Sequence, residues 1–143
     1  MKGAISMPEL KPELSCKNRY WISKHRYYEL KHFCLQYPEW KKMLSELEIK
    51  MEAVKLGTVY GSEPSDPTAR LAESRVDLQR AITLVEQAAT DASSELKHYL
   101  LLAVTEGIPF VTLQAIHQIP CGKDMYYDAY RKFFWLLSQR KGI

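Results

Sequence analysis

Strand signals are missing from these 143 residues. No run of Val, Ile or Thr alternates with polar residues, and no Asn-Gly or Asp-Gly pair marks a hairpin, so helices have to carry the fold. Glycine is scarce, at six residues, and none sits in a phosphate-cradling loop; a nucleophile elbow and an HExxH pattern are absent too. The three cysteines, Cys16, Cys34 and Cys121, include no CxxC pair, which argues against a disulfide framework or a zinc knuckle and suits a reducing cytoplasm. The longest apolar run, Tyr99 to Val104, is far short of the roughly 20 residues that span a bilayer. The N-terminus shows no apolar signal core. Charge of one sign is lacking as well: a net of +3 is too small to make the whole molecule basic, so any polyanion-binding surface must come from local clustering.

Clustering is what the chain does have. Residues 1 to 60 carry eleven Lys/Arg against seven Asp/Glu, residues 61 to 93 three against six, and residues 94 to 143 six against four. With 46% hydrophobic residues the chain can bury one core. Residues 1–18, with Pro8 and Pro12 and no apolar period, read as a loosely ordered leader. Residues 19–60 read as a basic, aromatic-rich helical arm: Ser23 caps a helix whose stripe is Tyr27, Leu30, Phe33 or Cys34, and Tyr37. Pro38 then starts a second helix with Trp40, Met43 or Leu44, Leu47 and Met51 on one side. Gly57 to Pro67 is a loop. After it, residues 61–143 form a helical domain that begins with a long helix, capped by Asp66 with Pro67 in its first turn and marked by Ala69, Ala72, Val76, Ile82, Val85 and Ala89.

The most informative stretch is about 95–141. Leu96, Leu100, Ala103 and Val104 make a stripe that ends at Gly107, a residue suited to a left-handed helix cap. Pro109 opens a short helix in which Phe110, Leu113 and Ile116 are expected to point inward. Ile119 pins a turn that Pro120 punctuates. A last helix follows, with Tyr126, Tyr130, Phe133 or Phe134, and Leu137 on its packed side. The expected fold class is therefore all-α: a helical N-terminal half, a long helix, and a C-terminal three-helix unit in helix-turn-helix order.

Glu106-Gly107-Ile108-Pro109-Phe110, Leu113, Ile119-Pro120 and Arg131 resemble the DNA-binding region that closes sigma-70-type factors, a region also found in small phage late-gene regulators of the ArpU and RinA kind. The resemblance covers about a third of the chain. Segments 20–28 and 37–42 also look like small phage proteins with this ending, so it implies a phage or prophage origin and a host-cell cytoplasmic setting. It further implies a recognition helix from Lys123, in which Lys123, Asp124 and Tyr127 approach base edges while Arg131 and Lys132 neutralise phosphates. At one position the chain departs from the pattern. Gln118 stands where the family has Gly before the turn's Ile, and left-handed geometry there would cost roughly 1 kcal/mol. Asp124 and Asp128 also put carboxylates on the side that would meet phosphate.

A second basic surface, Lys17, Arg19, Lys24, Arg26 and Lys31 interleaved with Tyr20, Trp21, Tyr27 and Tyr28, reads either as an arm that grips nucleic acid or as the solvated side of an amphipathic helix whose rings are core. His25, His32 and Cys34 have no metal-ligand spacing, and His98 and His117 have no carboxylate at a useful offset. No enzyme, metal or cofactor is expected. Two functions remain. One is a sequence-specific double-stranded DNA-binding transcriptional regulator that dimerises or meets host RNA polymerase or another host protein through its N-terminal half. The other is a phage-encoded inhibitor of a host nucleic-acid enzyme, anti-CRISPR-like, with aromatic anchors and with Asp66, Glu73, Asp77, Asp124 and Asp128 imitating phosphates.

Overall fold

The computed structural model of the protein describes residues 18–56 and 65–142, and these are all-helical with no strand. Six helices follow in order: α1 (Lys24–Leu35), α2 (Tyr37–Lys55), α3 (Ser65–Ala92), α4 (Lys97–Glu106), α5 (Phe110–Ala115) and α6 (Lys123–Lys141). Residues 1–17 of the leader and residues 57–64 of the loop after α2 lie outside the described residues, as does the side chain of Asp66, the expected cap, whose backbone is already in α3. Two compact units result: one holds α1, the last part of α3 from Leu84, and α4 to α6; the other holds residues 36–83.

In the first unit, the break after α1 is a single residue wide. Ser23 starts the helix: its carbonyl accepts the first intrahelical bond from the Tyr27 amide at 2.9 Å, and its hydroxyl accepts from the Arg26 amide at 3.3 Å, which satisfies one of the amides a helix start leaves open. The helix stops at Leu35, and Gln36 becomes the N-cap of α2, with Pro38 in the first turn where a missing amide does no harm. Tyr27, Leu30 and Cys34 are fully buried, as their spacing predicts. Upstream the buried residues are Tyr20 and Ile22, while Trp21, a core residue on one of the two readings of this segment, is exposed. With Trp21 between two buried neighbours in non-helical backbone, the side chains alternate rather than share a helical stripe.

α1 packs on α4 and α6, and α4 packs on α5. Leu96, Leu100, Ala103 and Val104 are buried, together with Val85, Ala88 and Ala89 from the end of α3. Gly107 caps α4 at φ 71 and its amide donates to the Ala103 carbonyl, so the left-handed cap expected there is present. Thr105, the one buried polar residue among those described, turns its hydroxyl back to the Leu101 carbonyl at 2.5 Å. Each fully buried Leu or Phe of this core contributes about 1.5–3 kcal/mol relative to exposure.

The second unit is thinner. Trp40 and Ile82 are its buried apolar residues, and Leu44, Leu47, Met51, Leu71 and Leu78 are half-buried. Glu48 of α2 reaches Arg75 of α3 at 3.4 Å across two half-exposed side chains. Ala69, Ala72 and Val76, expected on the core stripe of α3, are exposed, whereas Ile82, Val85 and Ala89 further along are buried. The helix shifts its inward stripe to Leu71, Arg75, Leu78 and Ile82, a 3-4 spacing that the scattered alanines concealed.

Burial pushes the Cys34 thiol well above its usual range, and burial first, then Tyr127, Tyr27 and Cys121, does the same to the Tyr126 hydroxyl. Both groups are held neutral in the fold. Because their folded pKa values lie above the unfolded ones, the stability tied to them is complete at neutral pH and is lost on going alkaline. Denaturant midpoints are therefore expected to stay level through neutrality and to fall once pH passes about 8.5, where an unfolded thiol ionises. The Cys34→Ala variant should show a shallower first decline, because the Cys121 thiol, raised by burial and by Glu95, keeps a share of it.

Candidate nucleic-acid interface

The turn between α5 and α6 shows an unusual backbone. Gln118 has φ 55, the one positive φ outside glycine among the described residues. A side chain there costs roughly 1–2 kcal/mol. Two features offset it: the Ile119 amide donates to the Leu113 carbonyl at 3.1 Å, folding the chain back on α5, and Ile119 itself is buried beside fully buried Leu113. The arrangement serves the same end as a left-handed helix cap, in which a backbone bond and an apolar contact close the helix together. α5 has only six residues, so Ile116 falls in this turn and is 69% exposed rather than inward as expected.

α6 then starts at Lys123 behind an extended Gly122, whose carbonyl accepts from the Tyr126 amide at 3.1 Å. Asp124 in the first turn and Arg140 and Lys141 in the last suit the helix dipole. Aromatic rings surround the helix. Tyr126 lies 4.9 Å from Phe110, Phe134 lies edge-on to Tyr27 at 5.1 Å, Trp135 meets Tyr20 at 5.6 Å, and the hydroxyls of Tyr27 and Tyr130 are 3.0 Å apart. As a consequence no residue from Ala129 to Ser138 is exposed.

The residues expected to meet DNA divide accordingly. Lys123 and Asp124 are exposed, as are Met125 and Asp128, while Tyr127, Arg131 and Lys132 are half-buried. Tyr127 has ring contacts with Phe110, Tyr126 and Tyr130, so its ring is part of the scaffold on one side. Met125, 51% exposed, belongs to the accessible surface and was missed in the sequence; its position one residue before buried Tyr126 is the signal that could have placed it outside. The accessible start of α6 thus offers one cation, two carboxylates and a thioether.

The expected arm residues do not form a free cationic strip. Lys17 lies outside the described residues. Arg19 donates to the Tyr20 hydroxyl at 2.6 Å and sits over that ring; this bond first, and Asp128 on α6 to a lesser degree, raises its guanidinium above the usual range. Lys31 stands 6.0 and 5.8 Å from the ring centres of Tyr27 and Tyr28. Lys24 is exposed. Arg26 is engaged within the fold: it donates to the Ser138 hydroxyl and carbonyl, both at 3.0 Å, and to the Gly142 carbonyl, while pairing with Glu29. A planar guanidinium here satisfies carbonyls that the end of α6 leaves open.

Burial raises the Cys121 thiol, with help from Glu95, so neither it nor Cys34 is a ready nucleophile. Among the described residues no group of three His, Cys, Asp or Glu could hold a metal ion, and no helix is long and apolar enough to cross a membrane. Compared with protein-family models, curated proteins and solved structures, the chain matches none of them.

Two substitutions test this geometry by chemical denaturation. Gln118→Gly should stabilise the protein by up to about 1 kcal/mol, since it relieves left-handed strain, although glycine at an ordinary helical site costs about that much. A loss of stability would mean that the strain is not there. Arg26→Ala should cost about 1–3 kcal/mol through the carbonyls it leaves unmatched, and Arg26→Lys should recover little of it because an ammonium lacks the fork.

Proposed function

We propose that the protein is a sequence-specific double-stranded DNA-binding transcriptional regulator of the phage or prophage kind, non-enzymatic and acting in the cytoplasm of a host cell. The observation that carries the reading is Gln118. The sigma-type pattern puts a glycine at this point of the turn, and in this chain a glutamine takes up left-handed backbone there, φ 55, between a six-residue α5 and a nineteen-residue α6. A chain that holds roughly 1–2 kcal/mol of strain at that point keeps the turn's path in spite of its own residue.

In this reading α4, α5 and α6 form the helix-turn-helix unit, and the exposed start of α6 enters the major groove. Lys123 donates to guanine acceptors, Asp124 and Asp128 accept from cytosine amino groups, and Met125 adds an apolar contact for thymine methyls. Arg131 and Lys132, half-buried by their stems, bring charged ends toward phosphates. Two carboxylates against one lysine make the groove-facing turn net acidic. Affinity on this reading therefore has to come from base contacts and the flanking cations, with a shallow salt slope.

A second reading draws support from those same carboxylates. Asp124 and Asp128, four residues apart and exposed, share one side of the helix and would suit a phosphate mimic that occupies a cationic nucleic-acid channel of a host enzyme. Its signature is competition with nucleic acid instead of binding to it.

Selection of random duplexes on the full chain at two salt concentrations separates the two. The regulator reading predicts an enriched motif, and a Lys123→Ala variant that binds it about 1–3 kcal/mol more weakly with relaxed choice at one base pair. Lack of any enriched sequence would defeat that reading and shift the weight to the inhibitor.

A further inference from the structure

The part of α3 that belongs to the second unit bears a stripe with no partner in sequence or charge. Ala69, Ala72, Val76, Gln79 and Thr83 follow at three, four, three and four residues, contain no charge, and are exposed except for half-buried Gln79; Val76 at the centre is 49% exposed. This stripe is distinct from the inward one of Leu71, Arg75, Leu78 and Ile82, on which Arg75 reaches Glu48. A 3-4 repeat is the seam of a two-stranded coiled coil, and the residues bordering the seam decide what it pairs with and in which direction. Here the border holds Glu73 and Arg80, both exposed and one heptad apart. Two turns of helix, about 10 Å, separate them, so they do not meet within one chain. Arg80 instead touches Asp77 at 3.7 Å with both side chains 76% exposed, a contact easily given up.

We propose that this side of α3 binds the same side of a second copy of the chain, antiparallel, about a two-fold axis at Val76. In that arrangement Val76 meets Val76, Ala72 meets Gln79 and Ala69 meets Thr83. Glu73 of each copy falls opposite Arg80 of the other, twice by symmetry. Parallel pairing would set Arg75 against Arg80, so the charge pattern selects the antiparallel direction. The unit's described residues carry seven Lys/Arg and seven Asp/Glu, so two copies approach without net repulsion, whereas a polyanion finds no attraction there. Pairing also supplies the exposed first half of a 28-residue helix with the tertiary packing from which helices draw most of their stability. The inference holds independently of the DNA reading.

Sedimentation equilibrium of the full chain across micromolar concentrations is the test. A reversible dimer is expected. Val76→Glu, Glu73→Arg and Arg80→Glu should each weaken it at least about tenfold, since each places charge in the seam or like charges across it. The double variant Glu73→Arg/Arg80→Glu should recover the parental association and the parental helical circular dichroism. A monomer at every concentration overturns the proposal, as does a dimer indifferent to Val76→Glu or a double variant that associates no better than its single parents.

Discussion

A helix with aromatic side chains on several sides has to be enclosed, and α6 is that helix. Tyr126, Phe133, Phe134 and Leu137 are buried, and Tyr127, Tyr130, Trp135 and Leu136 are half-covered. No single neighbour can cover so wide a surface. α1 supplies Tyr27 and the Arg26 latch, the segment before it supplies Tyr20, and Phe110 of α5 closes over Tyr126. The enclosure explains why an N-terminal helix rich in Lys, Arg and Tyr shares a core with the C-terminal helices. It also limits what the molecule can present, because whatever approaches α6 meets only its first turns or its last.

Strain at Gln118 belongs to the same arrangement. For α6 to start where its rings can be covered, the chain has to reverse within the few residues after a six-residue α5, and left-handed backbone at one of them is how it does so. Buried Ile119 and its amide bond to Leu113 hold the reversal. The functional reading depends on this local economy: a short helix, a strained turn and a long helix whose wet surface is confined to Lys123, Asp124, Met125 and Asp128 at its start and to Gln139 and Arg140 at its end.

Much of the helical plan was legible in the residues. Ser23, Pro38, Gly107 and the Ile119-Pro120 pair mark boundaries close to those observed, because caps and prolines act locally and do not depend on what packs against them. The stripes Leu96, Leu100, Ala103, Val104 and Tyr126, Phe133, Phe134, Leu137 are buried for the same reason that they are periodic. What depends on tertiary covering was less legible. Ile116 looked inward from its spacing, but α5 ends before it. Trp21 looked like core, yet Tyr20 and Ile22 occupy it. Ala69, Ala72 and Val76 gave a period without a partner in their own unit. Of the candidate site, Lys123 and Asp124 are where spacing puts them; Tyr127, Arg131 and Lys132 are half-covered, since periodicity shows one packed side of a helix but not a second or third. The intramolecular role of Arg26 could not be read from a basic run at all, because the carbonyls it finds belong to the end of a helix more than a hundred residues away, whereas Arg19 meets the ring of its own neighbour Tyr20.

Native-state hydrogen exchange tests the enclosure most directly. If α1 and α6 are parts of one core, the slowest amides of residues 27–34 and 129–137 exchange only through global unfolding, with a common free energy and a common response to denaturant. Exchange of the α1 amides at a much lower free energy, while those of α6 stay protected, would show a detachable arm and contradict the account.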